Sequence, residues 1–326
     1  MNPKLKILKR NLLHKNFIFI DGMSKTGKTV ICMIIKTLNN CQNYVPKWRY
    51  NNILKFNNLN LIDEDLAIDL ILQDMQISMI EDKLSRYVNF REHDSSSVNN
   101  SVHKEKYLNN LKIKDNDYEI DKIIKNLKKN RNIIPIMLDD FFPNCKGKFN
   151  FFLNFKKIIT LRNPIGVMYS NLSRNKIDKI IKGHPWQIGF HYLKNNKKIP
   201  WFIKPKEVET FFESDLVDKY MMFMNTDYKP YLNQKLYNIK KTQFFFIEDV
   251  WSNPAKTVKK ITKFLGTSKT INTDLMLKNL KLPRINLEEK YEKEYYFLKD
   301  KMSSLQFKKI LQMEKNYNFK KNRYGF

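Results

Sequence analysis

The chain has 326 residues, of which 42% are hydrophobic and 13% aromatic, enough for a large core and too much for wholesale disorder. Its 60 Lys and Arg against 33 Asp and Glu give a net charge of +27. Two readings of that excess compete: anionic partners such as nucleotides, sulfated or phosphorylated substrates, nucleic acid or anionic lipid, or the Lys-, Asn- and Ile-rich bias of an AT-rich genome.

Three cysteines, Cys32, Cys41 and Cys145, with no C-x-x-C pair, exclude a disulfide framework and a cysteine-based zinc site. No apolar run approaches the ~18 residues of a membrane span. The basic N-terminal stretch lacks the apolar segment and small-residue cleavage site of a secretory signal. The expected location is the cytoplasm, with the charge compatible with a peripheral position near a membrane.

In chain order, Phe17 to Ile20 is a buried strand and Thr29 to Leu38 the helix that follows it. A short strand is expected near Tyr44-Val45, before the aromatic-basic segment Trp48-Arg49-Tyr50. Leu66, Leu70, Met75, Ile77, Ile80 and Leu84 recur at helical spacing within 63–87. Residues 90–101 read as a loop and 103–130 as one or two helices. Ile133 to Leu138 is a strand in which Pro135 favours an edge or irregular stretch. Lys157 to Leu161 is another strand, and Pro164 opens a helix over 164–174. Residues 148–157, KFNFFLNFKK, interleave cations with aromatics and read as a loop packed on the sheet. Residues 176–205 read as irregular and 206–236 as helical and rich in Met and Phe. Phe244 to Ile247 is a strand. Asn253-Pro254 caps a helix with apolar face Ala255, Val258, Ile261 and Leu265, stopped by Gly266. A charged helical segment, 285–321, ends the pattern.

Strands alternating with helices, without repeats or Pro/Gly/Ser linkers, predict an α/β fold: a three-layer α/β/α parallel sheet of the P-loop nucleotide-binding type. One domain over 1–326 is expected, with helical or loop insertions at 42–130 and 176–240. In such sheets phosphate ligands bind at the carboxyl ends of the strands.

The first such end carries Gly22-Met23-Ser24-Lys25-Thr26-Gly27-Lys28-Thr29, which matches G-x-x-x-x-G-K-[ST] between a strand and a helix. A glycine-rich turn there presents backbone N–H groups and a helix N-terminus to an anion. Taken alone, it reads as the loop of a kinase or ATPase: Thr29 would hold Mg²⁺, supported by Asp139 or Asp140 after one strand, or Glu248 or Asp249 after another. The second lysine, Lys25, is unexplained on that reading. The second motif is KIITLRNPIGVMYSNL, residues 157–172. Here Arg162 supplies a fork of donors suited to phosphate and Ser170 a hydroxyl eight residues later. Together the motifs grip a nucleotide with two separated phosphate groups.

With both motifs, the chain resembles the sulfotransferases that use 3′-phosphoadenosine 5′-phosphosulfate (PAPS). Their first element, G-x-x-K-[TSG]-G-T-[TS], matches Gly22 to Thr29 with Lys25 on the family lysine. Their second, R-[ND]-P followed by a serine, matches Arg162, Asn163, Pro164 and Ser170. Residues 244–266 look like the family's late strand, acidic pair and Asn-Pro helix, and the C-terminal segment like its closing helix. Lys28 departs from the family's Thr or Ser, and Trp48-Arg49-Tyr50 stands where many carbohydrate sulfotransferases carry an acidic residue and histidine.

The resemblance implies roles. Lys25 would stabilise the leaving oxygen. Ser24, Thr26, Lys28, Thr29 and the backbone from Gly22 to Gly27 would hold the 5′-phosphosulfate, and Arg162 and Ser170 the 3′-phosphate, with no metal. The general base is expected at Asp140 or Asp139, Asp140 ahead on spacing, with Glu92, His93 and Asp94 as runners-up and His184 beside Trp186 as a lid candidate. His14, His103 and His191 fit no motif. The two insertions would form the cleft for a carbohydrate or glycolipid acceptor; no specific nucleic-acid partner is implied. The competing readings are a P-loop kinase or ATPase using Mg-ATP, and a non-catalytic nucleotide- or nucleic-acid-binding protein.

Overall fold

The computed structural model describes residues 12, 16–86, 88–92, 94–112, 117–129, 131–183, 189–233, 238–280 and 286–325. Five parallel strands form the central sheet: β1 (Phe17–Asp21), β2 (Val45–Pro46), β3 (Ile134–Met137), β4 (Lys156–Leu161) and, beyond a hairpin of β5 (His191–Lys194) and β6 (Lys197–Pro200), β7 (Thr242–Phe246). Their order is β2-β3-β1-β4-β7. From β1 the chain goes to the edge strand β2, returns to β3 beside β1, then crosses to β4 and β7 on the other side, so the direction of the connections changes beside β1, the position at which open α/β sheets bind ligands.

Alternate residues of the strands feed two cores, as the two-residue period of a strand requires. Phe17, Phe19, Ile134, Ile136, Ile159, Leu161, Phe244 and Phe246 face one layer. It is built from α2 (Trp48–Asn58), α3 (Glu64–Lys83), α6 (Pro164–Leu172), α7 (Lys176–Ile181), α8 (Val208–Glu213), α9 (Leu216–Phe223), α13 (Leu287–Lys301) and α14 (Ser304–Tyr324). Ile18, Ile20, Ile158 and Phe245 face the other. That layer comprises α1 (Lys28–Ile35), α10 (Ile247–Ser252), α11 (Pro254–Leu265) and α12 (Ile271–Asn279). Two short helices, α4 (Lys104–Asn110) and α5 (Asp117–Lys129), pack outside α3. The three-layer α/β/α expectation holds.

Local chemistry explains most boundaries. Asn163 caps α6 by accepting the Ile165 N–H, with Pro164 at the first position. Asn253 caps α11 by accepting the Lys256 N–H, and Gly266 ends it in the left-handed conformation at φ 71°. Val258, Ile261 and Leu265 are buried as expected, whereas Ala255 is exposed. The Phe-rich run forms a 3-10 segment, Gly147–Asn154, whose Phe149 and Phe152 are buried against the sheet. Among the described residues, no helix is long and apolar enough to cross a membrane.

Two expectations need correction. Pro135 sits in β3, an interior strand, not at an edge. The N–H groups of Ile134 and Leu138 point toward β1, so the nitrogen of Pro135 faces the β2 side, in the gap between the Cys41–Ile133 bridge and the pairing of Val45 with Ile136. Residues 176–205 are not irregular: they contain α7 and the β5–β6 hairpin. Its two-residue turn is Asn195-Asn196, both at positive φ (51° and 60°), the geometry that suits hairpin twist and that Asn tolerates. The final charged segment is helical as expected, in two helices separated just before Ser303, which caps α14 through a reciprocal pair with Gln306.

Candidate functional site

The turns after β1, β3, β4 and β7 leave the carboxyl edge of the sheet side by side. Asp21 closes β1. Its buried carboxylate accepts the N–H groups of Phe141 (3.1 Å) and Phe142 (2.9 Å), tying the β3 turn to the β1 loop. Burial raises its pKa to about 6, against the pull of the Phe142 amide and the Lys28 ammonium. Gly22 (φ 152°) and Gly27 (φ 97°) are both required by close approach. A Cβ at Gly22 would lie 2.5 Å from the Thr160 carbonyl oxygen, and one at Gly27 would lie 2.2 Å from Ile247 Cδ1.

The two loop lysines point opposite ways. Lys28 is buried; its ammonium donates to the carbonyls of Gly22 and Met23 and ion-pairs with Asp139. Thr26 also turns inward, donating to the Met23 carbonyl (2.7 Å) and meeting the Thr160 hydroxyl (2.8 Å). Lys25, itself at φ 72°, is exposed. Partial burial lowers its pKa, with Arg174 and Lys28 adding to the effect and Asp139 opposing it. Ser24 is half-buried and Thr29 exposed.

After β3, the structure separates the two aspartates. Asp139 is engaged by Lys28. Asp140 is buried at positive φ (53°), and its Oδ1 has no hydrogen-bond partner. Burial first, and then the charge of Asp227, push its pKa well above the carboxylate range, with Lys55 opposing. Asp227 arrives on a π-helical turn, Met224–Tyr228.

The turn after β4 is densely bonded. Arg162 pairs through Nη2 with Glu294 of α13 at 2.7 Å, and the Tyr228 hydroxyl donates to its carbonyl at 2.5 Å. The Asn163 N–H donates to Glu248 (2.9 Å) and its amide to Glu314 (2.6 Å). Tyr317 donates to the other oxygen of Glu248 at 2.5 Å. A Cβ at Gly166 would lie 2.7 Å from Arg162 Nε and 2.8 Å from Glu294 Oε2, so only glycine leaves room for the pair.

A cavity of about 290 Å³ opens between these turns. Ser24, Lys25, Asp139, Asp140 and Ser170 meet on its sheet side. Gly22, Thr26, Gly27 and Lys28 form the frame of the loop behind them. Arg162 is not among the lining residues; its guanidinium faces Glu294. The opposite wall comes from the two segments read as insertions: Asn51, Asn52 and Lys55 from 42–130, and Lys179, Ile180, Trp201 and Phe223 from 176–240, with Arg174 just before the second. Glu92 lies outside the cavity, and Asp94 caps its own loop through Ser96. His14, His93, His184 and Trp186 lie outside the described residues.

Sequence reasoning did not pick out Asp21, Lys55, Asp227 or Glu294. A carboxylate ending the apolar run FIFID signals Asp21. The other three are ordinary residues of polar helices, carried to the site by tertiary packing.

No protein-family model matches the chain, and no curated protein does. Solved structures that it resembles include a sulfotransferase from Alicyclobacillus acidocaldarius, at 13% identity and a TM-score of 0.36, covering 78% of this chain and 82% of that one. Another is sulfotransferase STF9 from Mycobacterium avium, at 12% identity and a TM-score of 0.39, covering 89% of this chain and 77% of that one.

Proposed function

We propose that the protein is a sulfotransferase that moves a sulfuryl group from PAPS to a hydroxyl of a saccharide or glycolipid acceptor. The observation that carries this reading is the cavity itself. It gathers Ser24 and Lys25 of the first motif, Ser170 of the second and the Asp139-Asp140 pair, although these lie far apart in the chain. The loop suits an anionic ligand: positive-φ positions at Gly22, Lys25 and Gly27 shape a concave backbone, and among the described residues Lys25 has no hydrogen-bond or ion-pair partner for its ammonium.

The acceptor hydroxyl attacks sulfur in line with the bridging oxygen. The S–O bond to the 5′-phosphate breaks, and the hydroxyl proton passes to a base. Lys25 stabilises the charge that builds on the bridging oxygen, the type of term that contributes most in such transfers. Asp140 takes the proton; its burial makes it a stronger base than an ordinary carboxylate. Asp139 has a different part: it fixes Lys28 and thereby the shape of the loop. Arg162 and Ser170 hold the 3′-phosphate, Arg162 by exchanging Glu294 for it.

The same ion pair weighs against the kinase reading, since Lys28 occupies the Asp139 carboxylate that reading assigns to Mg²⁺ support. Thermal unfolding with adenosine 3′,5′-bisphosphate, compared with Mg-ATP, separates the two. A ligand at one hundred times its Kd adds about 2.7 kcal/mol. A shift with the bisphosphate in the absence of Mg²⁺ is expected. A shift with Mg-ATP alone would falsify the sulfotransferase reading.

A further inference from the structure

Five lysines are buried among the described residues: Lys28, Lys36, Lys55, Lys157 and Lys320. Four have acceptors for their ammonium groups. Lys28 is held by two carbonyls and Asp139. Lys36 donates to the carbonyls of Ser95 and Ser97, Lys157 to those of Leu153 and Phe155, and Lys320 to that of Tyr231. Lys55 is the exception. It is 8% exposed, and its side chain makes no hydrogen bond or ion pair among the described residues. Its ammonium lies 4.8 Å from the centroid of the Trp201 ring, at the wall of the cavity. A buried charge without a partner is costly, so an unpaired one facing a cavity points to a ligand of opposite sign.

The neighbours of Lys55 extend the argument. Asn51 Oδ1, Trp201 Nε1 and Asp140 Oδ1 are also buried without hydrogen-bond partners, and all three residues line the same cavity. Lys179 and Arg174 add two further cations to the lining, neither of them in an ion pair among the described residues. Trp201 is held in place from behind: Gly189, at φ 147°, packs so closely that a Cβ there would lie 2.0 Å from the indole. One wall therefore brings together a fixed indole ring and an ammonium, with the buried Asn51 oxygen and indole N–H closed off behind its surface. This is the complement of a flat ring that carries a negative charge.

We propose that the acceptor is an anionic sugar ring, bearing a carboxylate, sulfate or phosphate group that Lys55 binds while the ring lies on Trp201 and its free hydroxyl reaches Asp140. The inference rests on the sulfotransferase reading for the identity of the reaction, but not for the charge of the ligand. Lys55 stands on α2, whereas Ser24 belongs to the β1 turn and Ser170 to α6, so it comes from a different element than the groups assigned to the two phosphates of the donor. Its engagement also has a consequence for Asp140. Lys55 favours the ionised form of that carboxyl. An anion on Lys55 offsets this pull and so raises the proton affinity of Asp140.

The test uses three pairs of monosaccharides that differ only in the charged group: a hexuronoside and its hexoside, a hexose 6-sulfate and its hexose, and a hexose 6-phosphate and its hexose. Each is titrated into the full chain by calorimetry, with and without saturating adenosine 3′,5′-bisphosphate. At least one acidic member should bind tenfold or more tightly than its neutral partner. Lys55→Gln should erase that preference and Lys55→Arg should keep most of it, with thermal unfolding confirming that both variants fold. Acidic members that bind no better than neutral ones, or do not bind at all, overturn the proposal, as does a preference that survives Lys55→Gln. Failure of the bisphosphate to bind overturns the sulfotransferase reading instead, while the anion preference is still read in nucleotide-free protein.

Discussion

The turn after β1 and the turn after β4 carry the two motifs, yet they treat charge in opposite ways. Around the β1 turn, charges stand without full compensation: among the described residues Lys25 has no partner and Asp140 keeps a bare oxygen, and Asp21 is buried with a raised pKa. Around the β4 turn, almost every charge is matched: Arg162 with Glu294, Glu248 with Tyr317 and Asn163, Glu314 with Asn163 and Tyr291, Asp249 with Lys321. Buried polar groups are normally satisfied. A region that leaves several unsatisfied is suited to a ligand, and a region that satisfies them is a frame. On the proposed reading, the first turn is where reacting atoms are expected, and the second anchors the sheet edge.

The largest contrast should come from deleting one cation in each region. Arg162→Met leaves Glu294 buried without its partner, and breaking such a pair costs about 3–5 kcal/mol. Lys25→Met removes an exposed, unpaired ammonium and should change stability by less than about 0.5 kcal/mol. Its effect falls on turnover instead, as a loss of about 10²–10³ in kcat. Urea unfolding and a sulfuryl-transfer assay read the two quantities. Equal destabilisation by both substitutions would erase the distinction between site and frame.

Asp21 tests the β1 side through pH. Its folded pKa, about 6, lies above its ordinary value of 3.8. Stability is therefore fully present below that ordinary value and is lost as pH rises through about 6. Asp21→Asn keeps an oxygen for the Phe141 and Phe142 amides and removes the titration. Relative to the wild type, the variant should gain about 2–3 kcal/mol between pH 4 and pH 7.5. A constant difference across that range would show that burial does not disfavour the ionised form of Asp21.

What could be read from the sequence follows the same division. Motifs whose chemistry is local were legible: the glycine-rich turn between an apolar strand and a helix, Asn163-Pro164 and Asn253-Pro254 as caps, and Gly266 as a stop. The alternation of strands and helices was enough for the three-layer fold. The β5–β6 hairpin carried a legible signal, Asn195-Asn196, that the surrounding polar residues obscured. The partners of the motif residues were not legible, because nothing local marks them. Glu294 lies 132 positions from Arg162, and Lys55 is one more lysine on a polar helix of a lysine-rich chain. The π-helical turn that brings Asp227 toward Asp140 has no clear sequence signature either. Which of Asp139 and Asp140 is free was decided by Lys28, whose ammonium could reach only one of them.

The smallest expected effect is at Glu294, and it bears most directly on how the second turn becomes part of a site. If a phosphate takes Arg162 from Glu294, the carboxylate competes with the ligand, and removing its charge should help binding. Glu294→Gln should tighten adenosine 3′,5′-bisphosphate binding by up to about tenfold, or ~1.4 kcal/mol, at neutral pH. Burial raises the pKa of Glu294, with Arg162 and Lys290 opposing. The wild-type carboxylate therefore gains its proton at a higher pH than an ordinary glutamate. Below that point it no longer competes, so the advantage of the variant should shrink as pH falls. Comparing the two proteins at each pH cancels the titration of the phosphate itself. Identical affinities at every pH would mean that Arg162 stays with α13, and that the hydroxyl of Ser170 and the open β1 loop hold the nucleotide without it.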